Sequence, residues 1–342
     1  RGHQDEVWSL ALSPDTHTLV SGGKDGLMSV WETAANPTDH EPLTLPVAVK
    51  NWSFTPDSQS ILVFDEDHRL ARWSGDRFQE RTPIFEFNTN VGSILISPGG
   101  ELVAANRSDK VVEVLNLAQC TLQQQIGSPD DPHVPVAFLA SAKELVTGQL
   151  KTGAYHRWDL DTGQVLDTWQ PGPAALKTAF VSPGGKWSLH LDREGAGHLW
   201  NTVAKQGTRL DLDLRQISQA GYSPDERLLT VVSWLGTAEV WETESARRVA
   251  TLRGFLQGQH SAAFSPDGDR LAIGSNAREA VKLWDVNGLQ ELLTLEGSGS
   301  LFMSVAFSPD GNMLAACNGK GVLHIWRAPP LNETGLVNLE VR

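Results

Sequence analysis

The sequence predicts an all-β chain folded as an eight-bladed β-propeller of four-stranded antiparallel blades, with seven blades as the alternative. The first observation is a tryptophan that returns every 41 to 43 residues: Trp31, Trp73, Trp158, Trp200, Trp241, Trp284 and Trp326, with Leu115 in the third place. The second is a proline 17 residues ahead of it, 18 in the seventh copy: Pro14, Pro56, Pro98, Pro183, Pro224, Pro266 and Pro309, with Ser141 in the fourth. The third is what lies between these landmarks, short apolar runs punctuated by Pro, Asp and Gly. Such runs read as strands of about four to seven residues. A period of about 40–45 residues with four strands per copy is that of a propeller blade.

Copy one sets the plan. Gly2-His3 precedes the apolar run Val7 to Leu12, Ser13-Pro14-Asp15 turns the chain, and Leu19-Val20-Ser21 forms a second strand. Lys24-Asp25-Gly26 turns it again, Leu27 to Trp31 is a third strand, and an outer strand falls near Pro42 to Leu45. The turns have a mechanism, since proline presets φ and an aspartate bonds backbone amides beyond it. Copies two and three run through Asn51-Trp52-Ser53-Phe54 and Ser93 to Ile96 in the same manner, and Leu115 keeps an apolar plug while losing the indole donor. Copy four, Val136-Ala137-Phe138 to Trp158, and copy five, with Phe180 and Trp200, align to within one residue. Copies six, seven and eight are regular apart from one extra residue before Trp284.

The expected blades are 1-45, 46-87, 88-129, 130-171, 172-213, 214-255, 256-297 and 298-342. One copy alone is too small to bury both faces of a sheet, so the copies are expected to stack into a single closed domain over 1-342. Ring closure has two candidate routes. The residues beyond Ala328, including Leu336 to Val341, supply the outer strand of the last blade, or a segment upstream of Arg1 does. The chain starts inside a repeat without an initiating Met, and is expected to be a module of a longer protein.

Gly2-His3, the Ser-Pro-Asp turns, Asp285 after Trp284, and the phrases Phe264-Ser265-Pro266-Asp267-Gly268 and Phe307-Ser308-Pro309-Asp310-Gly311 resemble WD repeats, in particular those of bacterial members. The resemblance covers essentially the whole chain and implies a β-propeller interaction platform. Bacterial modules of this kind are joined to Ser/Thr kinase, receptor or effector domains, which implies a sensing or scaffolding arm in signalling. By motif position, His3, Ser21, Asp25 and Trp31 match a hydrogen-bonded set that ties the strands of a blade together, and no other copy keeps all four. The resemblance also implies three positions per blade on the channel face. Carried over, they give Glu6, Trp8, Lys24, Lys50, Glu66, His133, Lys151, Lys177, Arg193, Trp234, His260 and Met303 as partner-binding candidates, with Leu301, Ser218, Gly258 and Gly319 among the small or apolar remainder. Five basic residues against two acidic ones, with two Trp and a Met, point to a protein or peptide partner that is acidic or phosphorylated.

Composition narrows the rest. A net charge of −13 argues against a general nucleic-acid binder, whose phosphate contacts need clustered Lys and Arg. Two cysteines, Cys120 and Cys317, build no disulfide framework. No apolar run reaches the roughly 20 residues of a membrane helix. The ten histidines show no His-x-x-x-His spacing and no Cys-x-x-Cys occurs, so neither a metal nor a cofactor is expected. Asp65-Glu66-Asp67 and Asp211-Leu212-Asp213 lack the Gly and terminal Glu of a calcium loop. The Asn51, Asn106 and Asn332 sequons matter only in a secreted protein, whereas the expected location is cytoplasmic. The expected role is therefore non-enzymatic, the alternative being an enzyme or small-ligand propeller with the channel as its pocket.

Overall fold

The apolar runs between the Pro and Trp landmarks form strands because each offers alternate side chains to the two faces of a sheet. A computed structural model describes residues 7–12, 18–24, 28–32, 42–87, 91–171, 178–191, 197–212, 217–253, 258–276 and 279–327. These residues divide into two compact units, Leu43–Ile325 and a smaller one drawn from Arg1–Pro42 with Trp326–Arg342. The smaller unit holds a three-stranded antiparallel sheet, β1 (Val7–Leu12), β2 (Thr18–Gly23) and β3 (Met28–Glu32), in that order. Its register pairs Leu10 with Ser21 and Leu19 with Trp31.

The larger unit is a seven-bladed propeller of four-stranded antiparallel blades. In chain order its first three complete blades are β5 (Val49–Phe54) to β8 (Glu80–Glu86), β9 (Val91–Ile96) to β12 (Thr121–Ile126), and β13 (His133–Phe138) to β16 (Val165–Trp169). Then come β17 (Thr178–Val181) to β20 (Gln206–Leu210), β21 (Ile217–Tyr222) to β24 (Arg247–Leu252), and β25 (Ser261–Phe264) to β28 (Glu291–Glu296). The seventh joins β29 (Ser304–Phe307), β30 (Met313–Cys317) and β31 (Leu323–Arg327) to β4 (Leu43–Thr44). First strands of successive blades lie side by side around the ring.

The expectation of eight blades is therefore corrected to seven, and the reason is visible at the closure. The outer strand of copy one leaves its own repeat and pairs antiparallel with β31, Thr44 opposite His324 and Leu43 opposite Ile325. Copy eight then packs directly on copy two. The Val49 amide donates to Gly321 O at 2.8 Å, Trp52 Nε1 donates to Ser304 Oγ at 2.9 Å, and the Asp310 amide donates to Ser58 Oγ at 3.1 Å. One core runs through Leu45, Val49, Phe54, Ile61 and Trp73 into Met313, Ala315, Cys317, Leu323 and Ile325. The outer strand paired with β31 is residues 43–44, a closure that differs from both routes expected from the sequence.

Burial follows strand position. The second strands carry the core, with every residue of β6 (Ile61–Asp65), β18 (Trp187–Leu191) and β30 buried, whereas the outer strand β20 is exposed up to Leu210. The periodic plugs Trp73, Leu115, Trp241, Trp284 and Trp326 are buried. The Ser-Pro-Asp turns are closed by their own side chains. Ser308 Oγ donates to Asp310 Oδ1 at 2.5 Å and accepts from the Met313 amide at 2.9 Å, while Asp310 Oδ1 accepts from the Asn312 amide at 3.1 Å. Gly311 adopts φ +74°, a left-handed turn that glycine enters without a Cβ penalty. The same bonds recur at Ser223–Asp225 and Ser265–Asp267, and with threonine at Thr55–Asp57.

Candidate functional site

A propeller presents its channel face through the starts of its first strands and the turns joining the second strand to the third. Of the residues expected on that face, Lys50, Glu66, Lys151, Trp234 and Met303 are exposed. Lys50 sits on β5, where its ammonium donates to Glu66 O at 3.3 Å, lies 3.5 Å from His68 Nε2 and stands 5.9 Å from the centre of the Phe64 ring. Lys151 occupies the turn after β14 (Glu144–Gln149). Ser218 is spent on joining blades, its hydroxyl reaching Val232 O at 3.1 Å and Gln259 O at 3.0 Å.

Residues 1–42 of copy one belong to the smaller unit. Lys24 is exposed at the end of β2 in the smaller unit, and Ser21 is buried on β2. Trp8 lies in β1 and Trp31 in β3, their side chains outside the described residues, as are Glu6, His3, Asp25, Lys177 and Arg193.

Two of the expected channel-face residues are buried instead. His133, at the start of β13, turns inward, with Nδ1 3.0 Å from Thr147 Oγ1 and Nε2 3.5 Å from Asp131 Oδ2. Thr147 Oγ1 accepts the Trp158 indole N–H at 2.9 Å, and Gln149 Nε2 donates to Asp131 Oδ1 at 2.6 Å. Imidazole, hydroxyl, carboxylate and indole thus meet in copy four, the four groups that motif position assigns to copy one. Motif position missed this network because the histidine and aspartate enter from other positions in the repeat. The signal was present as Asp131-Pro132-His133, an acid and an imidazole two residues apart. Burial lowers the His133 pKa against the opposing pull of Asp131. The Asp131 carboxyl is lowered in turn, first by the Gln149 hydrogen bond.

His260, the second buried member, backs Trp234. Their rings lie 4.4 Å apart at 59°, and burial lowers the imidazole's pKa. Gly258 makes this contact possible, because a Cβ there would strike the Trp234 carbonyl. One blade further on, Asn276 Oδ1 accepts the Leu301 amide at 2.7 Å, and the Phe302 amide donates to Ser275 O at 3.0 Å. Leu235, Leu301 and Met303 stand exposed beside these anchors. Leu235 was legible in the sequence as an apolar residue in a turn where the repeat pattern favours Asp.

A cleft of about 210 Å³ opens elsewhere, lined by Lys186, Trp187, Asp225, Glu226, Arg227 and Glu242 to Glu244. Lys186 Nζ reaches Glu244 Oε2 at 3.0 Å and stands 5.2 Å from the Trp187 ring centre. It contains none of the expected channel-face residues. Among the described residues no three His, Cys, Asp or Glu side chains converge as a metal site requires, and no helix is long and apolar enough to cross a membrane.

Comparison with known proteins agrees with this architecture. Residues 1–32 and 289–327 match the WD domain, G-beta repeat family. Over 247 residues the chain is 23% identical to the target of rapamycin complex subunit LST8 of Bos taurus, covering 68% of this chain and 75% of that protein. Over 306 residues it is 22% identical to a guanine nucleotide-binding protein subunit beta of Oryza sativa, covering 80% and 79%. Over 308 residues it is 20% identical to a periodic tryptophan protein 2 homolog of Dictyostelium discoideum, covering 81% of this chain but 28% of that longer protein. At its two ends the chain is thus similar to WD repeats, and its larger unit has the fold of a β-propeller. These relatives are eukaryotic, and the expected bacterial type is not supported.

Proposed function

We propose that the chain is a non-enzymatic scaffold that presents the channel face of its seven-bladed ring to a protein or peptide partner. The observation that carries this reading is Trp234, an indole part-exposed on the rim and braced from behind by the buried His260. Its rotamer is settled before any partner arrives, so binding loses little side-chain entropy there, and tryptophan is enriched where interface energy concentrates. Two relatives are named as subunits of larger assemblies, which supports the same reading. Exposed Lys50 and Lys151 give an acidic or phosphorylated stretch of a partner its counter-charges. A signalling role in the cytoplasm, as an arm of a larger protein, completes the proposal, and free Cys120 and Cys317 accommodate a reducing compartment.

The test is affinity purification from source cells with three baits: the unaltered chain, Trp234→Ala, and Leu166→Ser on the outer strand β16. The expected result is a set of proteins retained by the first and third baits and lost from the second. Equal recovery on all three removes the channel face as the docking surface.

A further inference from the structure

We propose that Asn287 is a site of covalent self-modification: its side-chain amide is lost through attack by the Gly288 backbone nitrogen, with the Asp285 carboxylate drawing the proton off that nitrogen. The product carries a new carboxylate in the turn that joins the third and fourth strands of the sixth blade, β27 (Glu279–Asp285) and β28 (Glu291–Glu296).

The sequence holds two Asn-Gly pairs, Asn287-Gly288 and Asn318-Gly319. Glycine has no Cβ, so the backbone nitrogen that follows the asparagine is open to close approach by the side chain. The fold treats the two pairs differently. Asn287 and Gly288 are both exposed. The Gly288 amide donates to Asp285 Oδ2 at 2.5 Å, and a Cβ on Gly288 would fall 2.9 Å from that same oxygen. A base within hydrogen-bond reach of the proton it removes meets the geometric requirement for general-base assistance. Among the described residues one bond holds the Asn287 side chain, Nδ2 donating to Asp269 Oδ1 at 3.3 Å. Asn318, by contrast, is buried, and three bonds lock its amide. Its Nδ2 donates to Ser298 O at 3.0 Å, and its Oδ1 accepts the Lys320 amide at 2.9 Å and the Val322 amide at 3.0 Å. The Gly319 amide donates to Ser300 O at 3.1 Å, a neutral carbonyl that takes up no proton. Turning Asn318 toward its neighbour's nitrogen breaks three buried hydrogen bonds, whereas turning Asn287 breaks one long bond at the surface.

The step balances with water as its one co-reactant. As Asp285 Oδ2 takes the Gly288 amide proton, the electron pair on that nitrogen forms a bond to Asn287 Cγ. The Cγ–Nδ2 bond breaks, and Nδ2 leaves as ammonia with the proton returned from Asp285, so a cyclic imide remains. Water then adds to one of the two imide carbonyls and opens the ring. The carboxylate is left either on the side chain, an aspartate, or on the backbone carbon with the chain running on through the side chain, an isoaspartate. Both products alter the turn. Where Nδ2 donated to Asp269, two carboxylates now face one another, with Asp285 a third two residues back, and like charges at such range repel. The Asp285 amide donates to Gln290 O and the Val286 amide to Asp269 O, each at 2.9 Å, so the new charge falls where the outer strand is fastened to its blade.

The test is incubation of the full chain at neutral pH and body temperature, with trypsin digestion and fragmentation mass spectrometry at intervals against a zero-time sample. Both asparagines fall on one tryptic peptide, Leu283 to Lys320, so they are read with equal recovery. In the folded chain, conversion of amide to acid is expected at least fivefold faster at Asn287 than at Asn318. In the chain unfolded by guanidinium chloride the two rates are expected to agree within twofold. Asp285→Asn keeps an oxygen to accept the Gly288 amide but is no longer a base, and it is expected to slow conversion at Asn287 at least threefold while its urea midpoint stays that of the unaltered chain. Folded-chain rates at the two sites that agree within twofold, or an Asn287 that converts only after unfolding, overturn the site. An undiminished rate in Asp285→Asn overturns the part given to the carboxylate. The comparison of folded with unfolded chain uses no variant, so it decides the site even where Asp285→Asn disturbs the blade.

Discussion

Ring closure by residues 43–44 is open to a direct truncation test. Starting the chain at Pro42 removes copy one and keeps β4 and Leu45, whereas starting it at Val49 removes those too. The second truncation takes away Leu45, a buried member of the core that joins the first and last blades. Loss of a buried leucine costs about 2–5 kcal/mol. It also takes the β4 ladder opposite His324 and Ile325, where each backbone hydrogen bond contributes about 0.5–1.5 kcal/mol net. Together roughly 3–7 kcal/mol is removed from a total that is typically about 5–15 kcal/mol. Urea unfolding followed by tryptophan fluorescence, with size-exclusion chromatography alongside, is the assay. The Pro42 start is expected to keep one cooperative transition, and the Val49 start to unfold at much lower urea or to associate through its opened blade. Equal losses from the two truncations, or loss of cooperativity already at the Pro42 start, would refute a seven-bladed closure, because an eight-bladed ring fails as soon as copy one is gone.

Acid is expected to destabilise the ring through buried histidines. His190 is fully buried with Nε2 2.7 Å from Ser188 Oγ, and burial depresses its pKa from 6.5 to about 3. The unfolded chain binds that proton first, so the contribution is present above pH 6.5 and is lost as pH falls toward 3, about 4–5 kcal/mol in all. His190→Leu should flatten the fall in urea midpoint between pH 6.5 and 4, and an unchanged slope would count against it. Thr147→Val leaves the Trp158 indole and the His133 ring without their shared hydroxyl, an expected loss of about 2–4 kcal/mol in urea unfolding at pH 7. A loss below 0.5 kcal/mol would mean that the network of copy four contributes nothing. Ser308→Ala breaks the bonds to Asp310 and Met313, at about 1–2 kcal/mol in the same assay. Ser265 lowers the Asp267 carboxyl's pKa by hydrogen bonding, so this turn's contribution is present above the ordinary carboxylate range and fades as pH falls through the lowered pKa. Ser265→Ala should therefore cost less stability at pH 2 than at pH 7.

The sequence by itself determined the repeat, its period, the strand-forming runs and the turn chemistry, because these are local. A Ser-Pro-Asp turn bonds atoms two to five residues apart, and a tryptophan plug fills a sheet built from its own repeat. It also offered Trp234 and Met303 as candidates for the rim, and both are exposed. Tertiary structure decided the number of blades. Repeats are counted along the chain, but a blade belongs to whichever strands pair, and the strand at 43–44 satisfies its backbone on β31, some 280 residues away. It also decided which rim histidines meet solvent. His133 and His260 were both expected at exposed rim positions, yet Thr147 draws one inward and Trp234 covers the other. A side chain's partner across a sheet or on the next blade is set by packing that no single repeat encodes.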